Sequence, residues 1–350
     1  MLTTLAFIFV LGIAILFHEF GHFVTAKLAG IKVFRFSLGF GPKIAGFFWR
    51  GTEYILCLFP FGGYVKMAGE DKNTENAETE SEKSIPDRER FDKKPFFVRI
   101  AVILNGPIMN LILATLLLMI VFFFSGTAQI TSTIAEVVEN SPAEKAGIVS
   151  GDKIIAIDSK EVENADDISE IINQGKDKII NMRLMRDSDF YEIEVAPEYN
   201  PEYDRAMIGI TLEVNIVRLS LFQSIARSIE MFFEIIRLIG IGFLETFTGK
   251  IPIELAGPLG IAQMAGEAAQ IGFLNLLFFT AVINIFLGII NLFPIPILDG
   301  GQIVLLVIER IKGKPLEPEH VNFLYILGFA LIIMIFLIAT YQDILRIFSK

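Results

Sequence analysis

Three side chains within five positions, His18, Glu19 and His22 in the run His-Glu-Phe-Gly-His, are of types that do chemistry together. On an α-helix, residues four apart stand one turn above the other on the same face, so both imidazoles can reach one divalent metal ion. Glu19 then lies beside that point as a carboxylate able to take a proton from water held there. The chain has a single cysteine, Cys57, in 350 residues, which leaves neither a disulfide framework nor a Cys-rich zinc site. A metal must therefore be held by imidazole and carboxylate.

A catalytic zinc takes three protein ligands and keeps one position open. The third histidine, His320, sits amid Glu317, Pro318 and Glu319 at the start of an apolar run and reads as an interfacial residue. Asp299 is the stronger candidate. It closes the run Asn291-Leu292-Phe293-Pro294-Ile295-Pro296-Ile297-Leu298-Asp299-Gly300-Gly301 at the end of another apolar segment. A helix begun at Leu2 carries His18 to a depth of roughly 24 Å, inside a hydrocarbon core about 30 Å thick. Ionisable side chains at that depth need a metal or a partner; the competing reading makes the two histidines polar residues satisfied by neighbours near a helix end.

The elements that must position these residues are membrane elements. A 53% hydrophobic composition with 33 Phe and a mean hydropathy of +0.57 exceeds what a soluble domain can bury. Apolar runs at residues 2–26, 102–124, 271–297 and 321–338 each meet the length of a span, about 20 residues. The first lacks the basic start and small-residue cleavage site of a signal peptide and is expected to stay in the mature protein. Lys27, Lys32, Arg35, Lys43, Arg50 and Lys66 follow the first span against only Glu53, and Arg310, Lys312 and Lys314 follow the third. Basic loops face the cytoplasm, which puts the N-terminus, the region between the second and third spans and the C-terminus outside, in a multi-pass membrane protein. The net charge of −10 is concentrated in residues 128–213, with 19 acidic and 8 basic residues, as in one soluble acidic module. No basic stripe supports nucleic-acid binding.

Three segments need separate readings. In residues 219–247, Gln223, Arg227, Glu230, Glu234 and Arg237 recur at spacings of four, three, four and three, one stripe of an amphipathic helix lying in the outer interface. Residues 33–67 are apolar but broken by Gly39, Gly41-Pro42, Gly51, Pro60 and Gly62-Gly63, which suits short β-hairpins with Arg50-Gly51-Thr52-Glu53 as a turn. At membrane depth such backbone must be sheltered by protein or line a wet cavity. Residues 70–92 read as a charged, mobile cytoplasmic loop.

With these residues in place the chain resembles the site-2 protease family of intramembrane zinc metalloproteases, of the RseP-like kind with a single PDZ domain. The resemblance rests on His18-Glu19-Phe20-Gly21-His22, on 291–301, and on a soluble module with Ser141-Pro142-Ala143-Glu144-Lys145-Ala146-Gly147 followed by Gly151-Asp152-Lys153. Asn105-Gly106-Pro107 and Gly257-Pro258-Leu259-Gly260-Ile261 also look family-like, although Gly-Pro pairs alone mark any turn. The resemblance implies His18, His22 and Asp299 as zinc ligands, Glu19 as the catalytic base, and Asn291 and Pro294 as substrate-binding residues. It also implies that residues 33–67 are a membrane re-entrant β-segment that holds an unwound substrate strand by backbone pairing.

The fold expected is a polytopic α-helical membrane protein with about four transmembrane helices, a membrane re-entrant β-hairpin segment and one extracytoplasmic PDZ-like α+β domain. Residues 1–127 form the first membrane catalytic part, 128–215 the PDZ-like domain, 216–270 an amphipathic helix and linker, and 271–350 the second membrane catalytic part. The function expected is a Zn2+-dependent endopeptidase that cleaves transmembrane substrates, such as anti-sigma factors or signal-peptide remnants, near the cytoplasmic face of the bilayer. A non-catalytic membrane scaffold would lack Glu19 or a ligand, and none is missing; a zinc-dependent transporter would show matching broken helices in two halves, and no internal repeat is present. A soluble-type zincin on an anchor would carry its motif outside the span.

Overall fold

Leu2–Leu28 is one continuous helix, α1, which closes where Gly30 turns left-handed (φ +67°) and the Ile31 amide reaches back to Ala26 O at 2.9 Å. A computed structural model describes residues 1–70, 84–158, 160–162, 165–175, 178–201, 203–250 and 256–348, so most of the expected loop at 70–92 lies outside the described residues. The chain divides into two units, Met1–Phe124 with Ser220–Lys350, and Ser125–Leu219.

After α1 come β1 (Val33–Trp49) and β2 (Thr52–Met67), joined at Arg50-Gly51, both left-handed as tight hairpin turns require. The several short hairpins suggested by the glycines are in fact one long hairpin folded on itself: Arg35–Leu38 is matched both by Gly63–Lys66 and by Glu53–Leu56. Gly39 permits that fold, for its φ is +84° and a Cβ there would stand 2.5 Å from Phe59 O. Val33, Phe36, Val65 and Met67 from this sheet form a core with Ala26 of α1 and with Val102 and Ile103 of the next helix, α2 (Phe96–Ser125). The α1 and α2 backbones meet closely, since a Cβ on Gly21 would lie 2.1 Å from Asn105 O. The Asn105 amide clamps the crossing by donating to Gly21 O (3.0 Å) and Thr25 Oγ1 (2.6 Å).

The second unit contains β3 (Thr127–Val137), α3 (Pro142–Lys145), β4 (Lys153–Ile157), β5 (Lys160–Glu161), α4 (Ala165–Gln174), β6 (Ile180–Arg186), β7 (Asp189–Val195), β8 (Glu198–Asn200), β9 (Arg205–Met207) and β10 (Ile210–Val217). Its main sheet has the order β10-β3-β4-β6-β7, with β5 on β4. Strand alternation buries Ile180, Met182 and Leu184 with Ile134, Ile154, Ile157 and Ile168. Asp152 is fully buried and fully partnered: Arg186 donates to both carboxylate oxygens at 2.7 Å and the Val149 amide donates at 3.0 Å. Burial pushes its pKa up, but the guanidinium and the amide outweigh it and hold the carboxyl below its ordinary value.

The first unit resumes with α5 (Leu221–Phe247), opened by a capping box between Ser220 and Gln223. It is followed by α6 (Pro258–Ile271), α7 (Phe273–Asn291), α8 (Asp299–Lys312) and α9 (Pro318–Phe348). Four described helices, α1, α2, α7 and α9, are long and apolar enough to cross a membrane; α5, with its charged stripe, is not among them. Two expectations need correction. The third apolar run, 271–297, is not one span to its end: α7 stops at Asn291 and a turn leads to α8, because Pro294 and Pro296 have no amide hydrogen to continue a helix. Residues 258–270, expected within a linker, belong to a helix with Gly266 against Thr3 of α1. The α6 N-terminus is fixed by buried Asp343 of α9, which accepts from the Gly257 (3.2 Å) and Gly260 (2.8 Å) amides.

Candidate metal centre

His18 and His22 project from the same face of α1, their ring centroids 4.8 Å apart and their planes at 86°. His22 Nδ1–H donates to Val102 O of α2 at 2.9 Å, so its Nε2 carries the lone pair. That atom lies 3.2 Å from His18 Nε2. Asp299, the first residue of α8, completes the triangle, with Oδ2 3.2 Å from His18 Nε2 and Oδ1 3.6 Å from His22 Nε2. The three side chains are 15%, 12% and 11% exposed.

The donor set can be tested against the metal it would hold. Zinc bonds of about 2.0–2.2 Å to nitrogen and oxygen, at tetrahedral angles, place neighbouring donor atoms roughly 3.3–3.5 Å apart. The observed separations of 3.2, 3.2 and 3.6 Å fit that spacing. Asp299 Oδ2 is buried with no hydrogen-bond partner among the described residues. Two imidazole nitrogens and a carboxylate converge on one buried point, and a cation there would meet all three donors at once.

A family model, Peptidase family M50, matches residues 6–335. The chain belongs to that family. Like the site-2 proteases, it is an intramembrane zinc metalloprotease. It is 34% identical to a protein of Clostridium acetobutylicum provisionally named a zinc metalloprotease, over 95% of this chain and 94% of the relative. It is 30% identical to the zinc metalloprotease RasP of Bacillus licheniformis and 29% identical to the regulator of sigma-W protease RasP of Bacillus subtilis, each over 99% of both chains. Among solved structures, the PDZ domain of an SdrC-like protein of Listeria monocytogenes aligns with 23% of this chain and 84% of that domain, at 18% identity and a TM-score of 0.22.

The M50 chain builds its centre on close backbone contacts. A Cβ on Gly106 of α2 would stand 2.3 Å from His22 Nε2 and 3.0 Å from His18 Cε1, so only glycine leaves room for both rings. Cβ atoms on Gly300 and Gly301 would meet Leu292 O at 2.2 Å and Ile295 O at 2.0 Å, so these glycines let the 292–298 turn lie on the start of α8 and set Asp299 in place. Asn291, at the end of α7, brings its amide to 3.4 Å from His18 Nδ1. Glu19 shares with the triad a cavity of about 290 Å³, also lined by Tyr64, Asn291 and Gln302, and its Cγ lies beside Gly63 of β2. Pro294 is exposed in the turn and does not line that cavity; His320 makes an exposed pair with Glu317 at 3.2 Å and does not line it either. The sequence reading had no role for Gly106 or the Val102 carbonyl; the family-like Asn105-Gly106-Pro107 run was their only signal.

Proposed function

We propose that the protease hydrolyses peptide bonds of transmembrane or membrane-anchored proteins near the cytoplasmic face, with His18, His22 and Asp299 as zinc ligands and Glu19 as general base. The observation that carries this reading is the convergence of three metal-donor atoms on one buried point within a cavity that also contains Glu19. Zinc, when bound, supplies Lewis acidity and makes water a stronger nucleophile near neutral pH. Glu19 takes the proton from the attacking water and returns it to the leaving amine nitrogen. Val102 O orients His22, and the Asn291 amide stands where it orients His18 or meets substrate backbone.

The substrate must present an unwound segment, because amides inside a helix are bonded within it and an unpaired amide in hydrocarbon costs several kcal/mol. The β1–β2 sheet borders the cavity through Gly63, Tyr64 and Val65 and offers strand backbone as a replacement partner; this is the re-entrant reading of residues 33–67. Pro294 contributes by turning the chain between α7 and α8. The basic residues after α1 and at the end of α8 favour a cytoplasmic position for those ends. By the same reasoning the N-terminus, the Ser125–Leu219 unit and the C-terminus are extracytoplasmic, in the inner membrane. The Ser125–Leu219 unit is read as a PDZ-like domain and α5 as an interfacial helix. The substrate class suggested by the name of the Bacillus subtilis relative is a membrane regulator of a sigma factor, such as an anti-sigma factor; a signal-peptide remnant has the same single-span chemistry.

The test is Glu19→Gln in purified protein with a single-span substrate. Turnover is expected to fall at least about 10²-fold with zinc content unchanged, because the amide is no base and Glu19 is no ligand. A variant that keeps full activity, or one that loses zinc, removes the assignment.

A further inference from the structure

A second cavity, of about 530 Å³, adjoins the first. Glu70, Phe91, Ile103, Ile297 and Gln302 line both, so a peptide lying at the metal centre can continue from one into the other. Arg99 of α2 stands in the second cavity's wall. Its side chain is 14% exposed, its guanidinium lies over the Phe91 ring at 5.3 Å, and its Nε is buried without a hydrogen-bond partner among the described residues. Glu309 leaves that donor unmet: it approaches the neighbouring Nη2 at 3.5 Å, long for a charge-assisted hydrogen bond, and its Oε1 accepts from the Leu316 amide at 3.3 Å. A buried guanidinium edge with an unmet donor matches a carboxylate, which accepts from Nε and Nη together.

The position of Arg99 says which part of a substrate it meets. It precedes Val102, whose carbonyl holds His22, by three residues, or roughly 4.5 Å along the helix. An extended peptide covers that distance in one to two residues at about 3.3 Å each. We propose that the second cavity is a subsite for the substrate segment on the cytoplasmic side of the cut, where Arg99 binds a carboxylate. That carboxylate is either an acidic side chain within about three residues of the scissile bond or the new C-terminus of a product retained there. The inference rests on the proteolytic reading above.

The experiment uses full-length protein in detergent and two single-span substrates that differ only in Glu or Gln two residues to the cytoplasmic side of the cut. It adds two product peptides that end in a carboxylate or an amide. The wild type is expected to favour the Glu substrate roughly tenfold in kcat/KM, mostly through KM, as one charge-assisted contact provides. Arg99→Gln combined with Glu309→Gln, which leaves no unpaired charge, is expected to bring the ratio within twofold while the Gln substrate is cleaved at the wild-type rate and zinc is retained. Preference in the substrate arm assigns the contact to a side chain; stronger inhibition of the wild type, but not the variant, by the carboxylate peptide assigns it to the product terminus. If the double variant folds poorly, Arg99→Lys replaces it, since lysine keeps the charge and lacks the fork; a preference lowered there supports the subsite. Equal rates and equal inhibition in the wild type, or a preference unchanged by substitution at Arg99, overturn the subsite. Failure of the wild type to cleave either substrate overturns the proteolytic reading instead.

Discussion

Asp152 and Asp299 are both buried carboxylates in the same chain, yet their surroundings are opposite. In the Ser125–Leu219 unit, Asp152 is closed off: Arg186 meets both oxygens and the Val149 amide adds a third donor. In the membrane unit, Asp299 stands 3.2 and 3.6 Å from two imidazole nitrogens, and among the described residues no hydrogen bond of good geometry reaches its Oδ2. A carboxylate of the first kind holds a loop to a strand, and it needs nothing more. One of the second kind is suited to a cation beside it, because a carboxylate desolvated without a full set of donors costs several kcal/mol. The difference sets a structural aspartate apart from a candidate ligand without reference to any motif.

Substitution at each aspartate should break the comparison in a different place. Asp299→Ala is expected to have the largest effect, reducing zinc below a tenth of an equivalent per chain and activity by at least about 10³-fold, since the open metal site and its Lewis acidity go together. Metal analysis and cleavage assays on the same preparation check it, and a variant that keeps both zinc and activity refutes Asp299 as a ligand. Asp152→Ala should leave zinc content intact and destabilise its own unit by about 3 kcal/mol, the low end for breaking a buried ion pair because the Arg186 side chain stays 31% exposed.

The smaller effect is one of pH. The folded-state pKa of Asp152 lies below its ordinary value of 3.8, so its stabilising contribution is complete above that value and is lost as pH falls through the lower, folded one. Hydrogen exchange of β4 and β6 in the full-length protein should therefore accelerate more steeply below about pH 4 in the wild type than in Asp152→Asn. Parallel curves would mean that the ion pair does not couple to the stability of that sheet.

Much of this was legible in the sequence, and the reasons differ by element. Four helices follow from apolar length alone, because lipid imposes a minimum span on any helix that crosses it. The pairing of His18 with His22 follows from helical periodicity, which is local. The break between Asn291 and Asp299 was visible only as Pro294 and Pro296 inside an apolar run; that the chain would restart as α8 with Asp299 at its head depends on Gly300 and Gly301 receiving the turn's carbonyls, a tertiary fit. The same holds for α6, whose Ala- and Gly-rich sequence carries little hydropathy signal and whose helix is secured by Asp343 from α9, more than eighty residues later. Gly106 was one of 28 glycines in the sequence; its contact with both imidazoles required the α1–α2 crossing to be known.

On the proposed reading one metal ion is held by two imidazoles and one carboxylate from α1 and α8. Zinc-edge X-ray absorption on the purified protein tests it most directly. The account predicts about one zinc per chain with a shell of nitrogen and oxygen donors at roughly 2.0–2.2 Å, two of them with the outer-shell scattering of imidazole. A sulfur donor at about 2.3 Å, which would point to Cys57, or a zinc shell unchanged in Asp299→Ala, would contradict it.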